Sequence, residues 1–380
     1  MKINEKIITK IEGEAKLKVY GEEIIDFVEI EFYNFRGIEN YLVNRHYMDA
    51  LVINPRVCGI CGHSHLLATA RAIEDAFNIK PSKKAQILRE ITTGLEIIQN
   101  HIKWFYITFM PEIIKDKSKM LKAISIASYA SKIIALIAGQ FPHNSYIIPG
   151  GVTCDLTNLE ILKIEDMLKI LKEQIIKEII DESGYSKDLE IFFENVDKNI
   201  GKGINRFLVL GNNFYFKNNG ELELVKEEKK NVFYDDKFFE IGPLSRNLEN
   251  EVVKMIYKKY QDSVYSRVFA RLYEMVLIIE YLLKIIKEID ICEENYIKHV
   301  PKNSKGVSVI EAPRGSLIHR IEIENEKIKK YDIIVPTQFN LSSYTKENPS
   351  PAQAALINER IENINIVFKC FDICSVCFTH

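Results

Sequence analysis

The chain has 380 residues, more than twice the roughly 150 residues of a common domain, so length allows two or three domains or one large one. Hydrophobic residues make up 47% and charged residues 27% of the chain, which excludes collagen-like, low-complexity and wholly disordered proteins. The 51 Lys and Arg residues nearly balance the 53 Asp and Glu residues. With a net charge of −2, no overall positive field attracts nucleic acid or an anionic membrane.

The predicted elements begin with strands and continue with helices. The first ten residues carry three lysines and no apolar stretch follows them, which argues against a secretory signal. Alternating residues over 14–33 predict an N-terminal hairpin. Apolar residues recur every three or four positions from Pro81 to a stop at Pro111, and again over 164–179 and 264–286, which predicts long helices.

Further hairpins are predicted at 220–240 and 316–335. The uncharged run 133–154 is long enough to cross a bilayer, but its prolines, glycines and polar residues indicate a helix end and a buried loop, so we expect no transmembrane segment. The fold class is therefore α+β, predominantly α: a bundle of long helices over about 81–290 with peripheral β-hairpins. Without a linker or repeat, we expect one intertwined domain over 1–380.

The seven cysteines include two CxxC pairs, Cys58/Cys61 and Cys374/Cys377. An odd total in a long chain argues against a disulfide framework and favours a reducing compartment and a metal. Four thiolates form a soft ligand set that suits zinc, nickel or iron. A four-cysteine zinc site is the simplest alternative, although zinc ribbons hold their pairs about 15 to 20 residues apart. Here the gap between the pairs is 313 positions.

Both pairs lie in longer motifs, RVCGICGHSH at 56–65 and FDICSVCFTH at 371–380. These resemble the two signature motifs of nickel-iron hydrogenase large subunits. Five further segments agree with that family in order, so the resemblance spans essentially the whole chain. They are IEG at 11–13, FRGIE at 35–39, PGGV at 149–152 preceded by His143, EAPRG at 311–315 followed by His319, and VPT at 335–337 before Asn340. The resemblance implies the large-subunit fold and the reversible oxidation of H2 to protons and electrons.

The resemblance also implies a ligand set. Four thiolates would hold nickel: Cys58, Cys61, Cys374 and Cys377. Cys61 and Cys377 would also bridge to an iron that carries one carbon monoxide and two cyanide ligands. Metal-bound thiolates are deprotonated and donate electron density, which suits a metal that must change oxidation state. Cys374 would be the terminal thiolate that takes the proton released from H2.

Other residues are similar to family residues that act on the proton or on the iron ligands. Glu12 resembles the glutamate that passes the proton outward, although an acidic residue before a strand is ordinarily exposed. Arg314 resembles the arginine that lies over the metals and donates to one cyanide, with Pro313 beside it. Thr337 matches the hydroxyl residue that donates to the second cyanide. Asp372 is expected to orient the arginine through a charge-assisted bond.

Glu39 and His380 resemble a carboxylate and an imidazole that bind magnesium or a similar divalent ion near the active site. Chain ends are often disordered, but the cysteines just upstream are expected to hold His380 in place. We interpret His65 as a supporting residue beside a bridging thiolate rather than a ligand. A chain that stops at His380 resembles either a form processed by maturation proteins or a member encoded without an extension.

The other three cysteines are scattered and are expected to pack as small hydrophobic residues: Cys154, Cys292 and Cys370. They cannot form an iron-sulfur cluster site by their spacing, so an iron-sulfur small subunit is implied as the electron-accepting partner. The isolated chain should therefore not sustain turnover with an external acceptor. We expect a cytoplasmic protein, or one held at the membrane periphery through partners.

Three alternatives remain beside the catalytic subunit. An H2-sensing hydrogenase would turn over slowly and bind a signalling partner. A hydrogenase-derived respiratory subunit would bind quinone, but such chains have lost the cysteine pairs. The zinc site is the third alternative. The chain also departs from the family pattern near the site, with Asn100 in place of a frequent acidic residue, Trp104 in place of a second histidine and Ile373 in place of a proline.

Overall fold

The computed structural model describes residues 3–10, 13–33, 35–211 and 216–380. Within them the α-helices are α1 (Ile38–Leu42), α2 (Ala50–Ile53), α3 (Gly62–Phe77), α4 (Lys83–Lys103), α5 (Lys117–Ala138), α6 (Asn158–Glu178), α7 (Lys187–Phe192), α8 (Pro243–Asn247), α9 (Glu251–Tyr260), α10 (Val264–Ile285), α11 (Pro336–Asn340), α12 (Pro351–Leu356), α13 (Ile364–Lys369) and α14 (Ser375–Phe378). The strands are β1 (Ile3–Lys10), β2 (Gly13–Gly21), β3 (Ile25–Phe32), β4 (Ile147–Ile148), β5 (Gly151–Val152), β6 (Val225–Glu228), β7 (Asn231–Tyr234), β8 (Ser304–Ala312), β9 (Gly315–Glu324) and β10 (Lys327–Ile334).

The long helices form the centre of the fold. Helix α4 packs against α5 and α10, and α10 packs against α6. The side chain of Ser82 caps the start of α4 by accepting from the Ala85 N–H. The helix continues as a π-helical segment, Trp104–Phe109, and ends in a short turn that contains Pro111, as the sequence predicted. At Gly94 the two central helices approach closely, because an added Cβ would lie 3.0 Å from side chains of α10.

Small antiparallel sheets lie around the helices. The first has the order β1-β2-β3, so the predicted N-terminal hairpin gains a third strand. The second has the order β10-β9-β8, where β9 and β10 correspond to the hairpin predicted at 316–335 and β8 was not predicted. Helix α3 packs on β8 and β9. The contact is tight at Gly306, where a Cβ would lie 2.1 Å from the backbone oxygen of Ala72.

Helix α5 is the one described helix that is long and apolar enough to cross a membrane by length and composition. A core helix of a soluble protein can have the same composition, and α5 packs against α4 and α6. The uncharged run 133–154 begins in the last turns of α5 and continues through a loop into β4 and β5. That arrangement matches the predicted helix end followed by a loop.

Candidate metal centre

Both CxxC motifs lie at the start of a helix, but in different positions. Cys61 occupies the N-cap position of α3, and Cys374 occupies the N-cap position of α14. The first motif therefore precedes α3, whereas the second motif forms most of the short helix α14. All four cysteines of the two motifs are buried. The fold brings the two motifs together although they are more than 300 residues apart in the chain.

The sulfur atoms form one cluster. Cys58 Sγ lies 3.7 Å from Cys374 Sγ, and Cys61 Sγ lies 3.9 Å from Cys377 Sγ. A tetrahedral metal with metal–sulfur bonds of about 2.3 Å separates its sulfur ligands by about 3.8 Å. The sulfur–sulfur distances between the two motifs, Cys58 to Cys374 and Cys61 to Cys377, therefore fit ligands of one tetrahedral metal. The Cys374 and Cys377 sulfurs are 2.8 Å apart and would have to separate by about 1 Å to bind it.

Charge favours a cation at this cluster. Burial raises the pKa of Cys374 to about 12 and raises the pKa of Cys377 well above its ordinary value. Hydrogen bonds from Cys377 and Cys58 lower the pKa of Cys61 to about 7. Four buried thiolates would be unstable beside one another without a metal ion to neutralise them. The donor set and its burial thus fit a soft transition metal.

Arg314 lies at the turn between β8 and β9 and points to the cluster. Its Nη1 donates to Cys61 Sγ over 3.6 Å. Its Nε donates to the backbone oxygen of Asp372 at 3.0 Å, and its Nη2 donates to Asp372 Oδ1 at 3.3 Å. The structure thus brings the predicted arginine and aspartate together beside the cysteines.

A cavity of about 10 Å³ lies next to this arginine. Its lining includes Cys61, Cys377, Pro313, Arg314 and Thr337. The buried Thr337 Oγ1 has no hydrogen-bond partner among the described residues. A buried hydroxyl without a partner is unfavourable, so this atom indicates that an acceptor belongs in the cavity.

His65 also lines the cavity. Its Nδ1 lies 3.1 Å from Nε2 of His319, which in turn contacts the Tyr331 hydroxyl at 2.7 Å through Nδ1. Burial lowers the pKa of His65 to about 3 and lowers the pKa of His319 well below its usual value. Both imidazoles are therefore neutral at physiological pH, which suits a supporting network of hydrogen bonds.

The C-terminal residue is fully buried. His380 Nε2 lies 2.9 Å from the backbone oxygen of Ile333 and 3.7 Å from Glu39 Oε1. The same Glu39 oxygen accepts the Ile333 N–H at 2.7 Å. Although burial opposes it, hydrogen bonding and charge from His380 lower the pKa of Glu39. An imidazole nitrogen, a carboxylate and a carbonyl oxygen thus converge where a divalent ion was predicted.

Two residues of α4 hold the first CxxC turn, and sequence analysis missed the role of both. Glu96 accepts the backbone N–H groups of His63 at 3.0 Å and Ser64 at 2.9 Å. Asn100 Nδ2 donates to the carbonyl of Ile60 at 2.9 Å. The spacing of four residues places both side chains on one face of the helix, which was the available signal.

A chain of buried charges begins at Asp372, and sequence analysis missed it as well. Asp372 Oδ2 lies 3.0 Å from Nη1 of Arg271 on α10. Nearby, His101 Nε2 lies 2.7 Å from Glu274 Oε2, and Arg246 donates to the same carboxylate. The available signal was a pair of charged residues, Arg271 and Glu274, three positions apart and flanked by apolar residues in α10.

The remaining predicted residues have varied outcomes. Glu12 lies outside the described residues. Cys370 is buried and Cys154 is half-buried, but Cys292 is exposed, so the prediction that it packs as a hydrophobic residue was wrong. Cys292 lies in a surface loop that follows α10, where its small side chain does not reach the core.

A family model described as nickel-dependent hydrogenase matches residues 36–109 and 230–380, which together cover more than half of the chain. The chain belongs to the nickel-dependent hydrogenase family. This finding explains the two cysteine pairs and removes the zinc alternative. The hydrogenase motifs were therefore interpreted correctly, and the protein is an oxidoreductase that acts on H2.

Relatives of this hydrogenase include large or alpha subunits from several organisms. Coenzyme F420 hydrogenase subunit alpha of Methanothermobacter thermautotrophicus is 26% identical over 91% of this chain and 85% of that protein. Sulfhydrogenase 2 subunit alpha of Pyrococcus furiosus is 25% identical over 98% of this chain and 97% of that protein. The periplasmic [NiFeSe] hydrogenase large subunit of Desulfomicrobium baculatum is 25% identical over 96% of this chain and 90% of that protein. These names favour a catalytic large subunit over the sensing alternative.

The solved structure of the Dm. baculatum [NiFeSe]-hydrogenase superimposes on this hydrogenase with a TM-score of 0.88. The two are 21% identical and the match covers 100% of both chains. This confirms the predicted fold class, which is α+β and predominantly α with the hydrogenase large-subunit architecture. A large subunit of this kind implies a small-subunit partner.

Proposed function

We propose that the buried cysteine cluster is the catalytic centre at which this large subunit oxidises H2 reversibly and heterolytically. The observation that supports it is the approach of the two cysteine pairs to 3.7 and 3.9 Å. All four thiolates would hold nickel, and Cys61 and Cys377 would also hold an iron with one carbon monoxide and two cyanide ligands. When bound, this group supplies the redox chemistry that separates H2 into protons and electrons.

Cys374 and Glu12 are the proposed proton-handling residues. Cys374 is fully buried, and a metal-bound thiolate is deprotonated, so its sulfur would carry a free electron pair beside the nickel. That sulfur can therefore act as the base that takes a proton from H2. Glu12 would then carry the proton outward, a role that the sequence resemblance supports.

Arg314, Pro313 and Thr337 are proposed to line the place of the iron ligands. The cavity at Cys61 and Cys377 contains an unpartnered hydroxyl, Thr337 Oγ1, which can donate to one cyanide. The guanidinium of Arg314 can donate to the other, because Asp372 fixes one edge of it and leaves Nη1 directed at Cys61. Pro313 and His65 exclude water from the same space.

Glu39 and His380 are proposed to bind magnesium or a similar divalent ion. The Ile333 carbonyl oxygen is a third candidate ligand, since it lies 2.9 Å from His380 Nε2. Such an ion would fix the C-terminal turn that carries Cys377, whose backbone oxygen already contacts His380 Nδ1. The ion would thus support the position of a bridging thiolate.

Electrons are proposed to leave through an iron-sulfur small subunit. Among the described residues, one group of three or more closely spaced potential metal ligands was found, and it belongs to the cysteine cluster. Maturation proteins are expected to insert the metals. The cytoplasmic location stays a prediction, and one of the relatives is named as periplasmic.

Infrared spectroscopy of the matured complex tests this proposal. We expect the stretching bands of metal-bound carbon monoxide and cyanide, together with nickel by elemental analysis and iron in excess of nickel, because the small subunit adds the iron of its own clusters. Activity with an external electron acceptor should need the small subunit. Absence of the infrared bands from a preparation that contains nickel and iron would overturn the proposed iron ligands, and a lone zinc ion would overturn the centre itself.

A further inference from the structure

A second arginine lies behind Arg314 and contacts the same carboxylate. Arg271 is on α10 and is 3% exposed. Its Nη1 lies 3.0 Å from Asp372 Oδ2, while Asp372 Oδ1 accepts from Arg314 at 3.3 Å. The Asp372 carboxylate is therefore held between two guanidinium groups, one of which reaches Cys61.

Arg271 is itself held in place from two sides. Its Cζ lies 4.6 Å above the ring of Trp104, and its Nη1 lies 3.3 Å from His101 Nδ1. The other nitrogen of His101 contacts Glu274, which Arg246 also binds. A planar guanidinium that stacks on an aromatic ring has little freedom to turn, so its donors have a fixed direction.

The local sequence makes this support important. Asn100, which stands where the family often has an acidic residue, uses its amide to donate to the carbonyls of Ile60 and Glu96. It therefore supports the CxxC turn. Asp372 has a left-handed backbone, with φ of 55°, and precedes Cys374 by two residues. A shift of its carboxylate would move the group that orients Arg314.

We propose that Arg271 is a positioning residue for the H2 reaction, because it fixes Asp372 and through Asp372 the guanidinium of Arg314 beside the cysteine cluster. This inference rests on the proposed function of the cluster. A role limited to stability would require only that Arg271 neutralise a buried carboxylate, whereas a positioning role also requires that its loss change the environment of the iron ligands.

The test uses the matured complex with R271M and R271K. For R271M we expect kcat to fall by about tenfold or more, the range found for residues that support metal ligands, with KM for H2 and metal content unchanged. The cyanide bands should shift, and R271K should recover part of kcat because it keeps the charge. R89M is the matched control, since Arg89 is equally buried but pairs with Glu74. It should lower stability without changing kcat or the bands.

A double-mutant cycle tests whether Arg271 acts through Asp372. In a D372N background, adding R271M should change kcat by less than about twofold, because the ion pair between Arg271 and Asp372 is already lost. Additive losses would overturn the inference, as would wild-type kcat and band positions in R271M. If R271M does not assemble, the same measurements are made on R271K. A lower kcat with shifted cyanide bands would then support the inference, and wild-type values would overturn it. A wild-type complex without infrared bands would instead overturn the proposed iron ligands, and with them the part of the proposed function on which this inference rests.

Discussion

Glu96 holds the start of α3, and its protonation is expected to make the stability of the fold depend on pH. Its carboxylate is fully buried and accepts the N–H groups of His63 and Ser64. Burial raises the pKa of Glu96 from 4.5 to about 7, while hydrogen bonds from Ser64 and His63 oppose the rise. We expect burial to dominate, so that the folded protein binds this proton more tightly than the unfolded chain.

The sign and size of the effect of Glu96 on the free energy of unfolding follow from the difference between its pKa in the folded and unfolded states. The stabilisation that Glu96 gives is fully present below pH 4.5, where both states are protonated, and is lost as pH rises through 7. Linkage between those two values gives a change of roughly 2–3 kcal/mol between pH 5 and pH 8. In Glu96→Gln the side chain cannot ionise. The wild-type advantage in free energy of unfolding should therefore be larger at pH 5 than at pH 8 by roughly 2–3 kcal/mol.

Urea unfolding of both proteins between pH 5 and pH 8 measures this difference. The wild-type protein must be compared with Glu96→Gln because the buried histidines have the opposite effect on stability. Burial lowers the pKa of His63 and His101 to about 4, so acid destabilises the fold through them in both proteins. Thr93→Ala is the control, since it removes a buried hydroxyl from α4 without changing any charge. A wild-type advantage that stays constant, or grows toward pH 8, would show that Glu96 is ionised in the fold and would refute the reasoning.

Three further changes test the packing and the site. R89M should lower the free energy of unfolding by about 3–5 kcal/mol, because it leaves a buried carboxylate without its partner. Urea unfolding measures this, and a loss below about 1 kcal/mol would contradict it. G306A should lower the melting temperature or the soluble yield, because its Cβ would overlap a carbonyl of α3, whereas G59A has open space around the new methyl group. C377S should abolish nickel binding in elemental analysis while C292S, at an exposed position, retains it; equal nickel in both would count against the proposed ligands.

Much of the fold could be predicted because apolar spacing reports burial. The spacing over 164–179 and 264–286 corresponds to α6 and α10, whose apolar faces are buried. Helix α3 carried no such signal, because it is buried on nearly all sides and includes polar residues such as Ser64. The single-domain organisation over 1–380 stays a prediction.

The site was predictable only in part. Sequence spacing carries no information on the distance in space between two CxxC motifs that are so far apart in the chain. Only the resemblance to hydrogenases predicted that they lie together. The partners of Arg271 and Glu96 come from other segments of the chain, and a sequence without coordinates does not identify such pairs. The sequence therefore predicted the cysteines and some of their supporting residues, such as Asp372, whereas it did not predict the roles of Arg271 and Glu96.

The approach of Cys58 to Cys374 also bears on folding. Cys58 and Cys374 are 316 positions apart, so a metal bound to both closes a loop almost as long as the chain. In a chain-entropy model, a cross-link over that length destabilises the unfolded ensemble by about 6 kcal/mol. A nascent chain can gain this cross-link only after Cys374 has been synthesised. Metal loss and release of the C-terminal segment should thus be two aspects of one cooperative event.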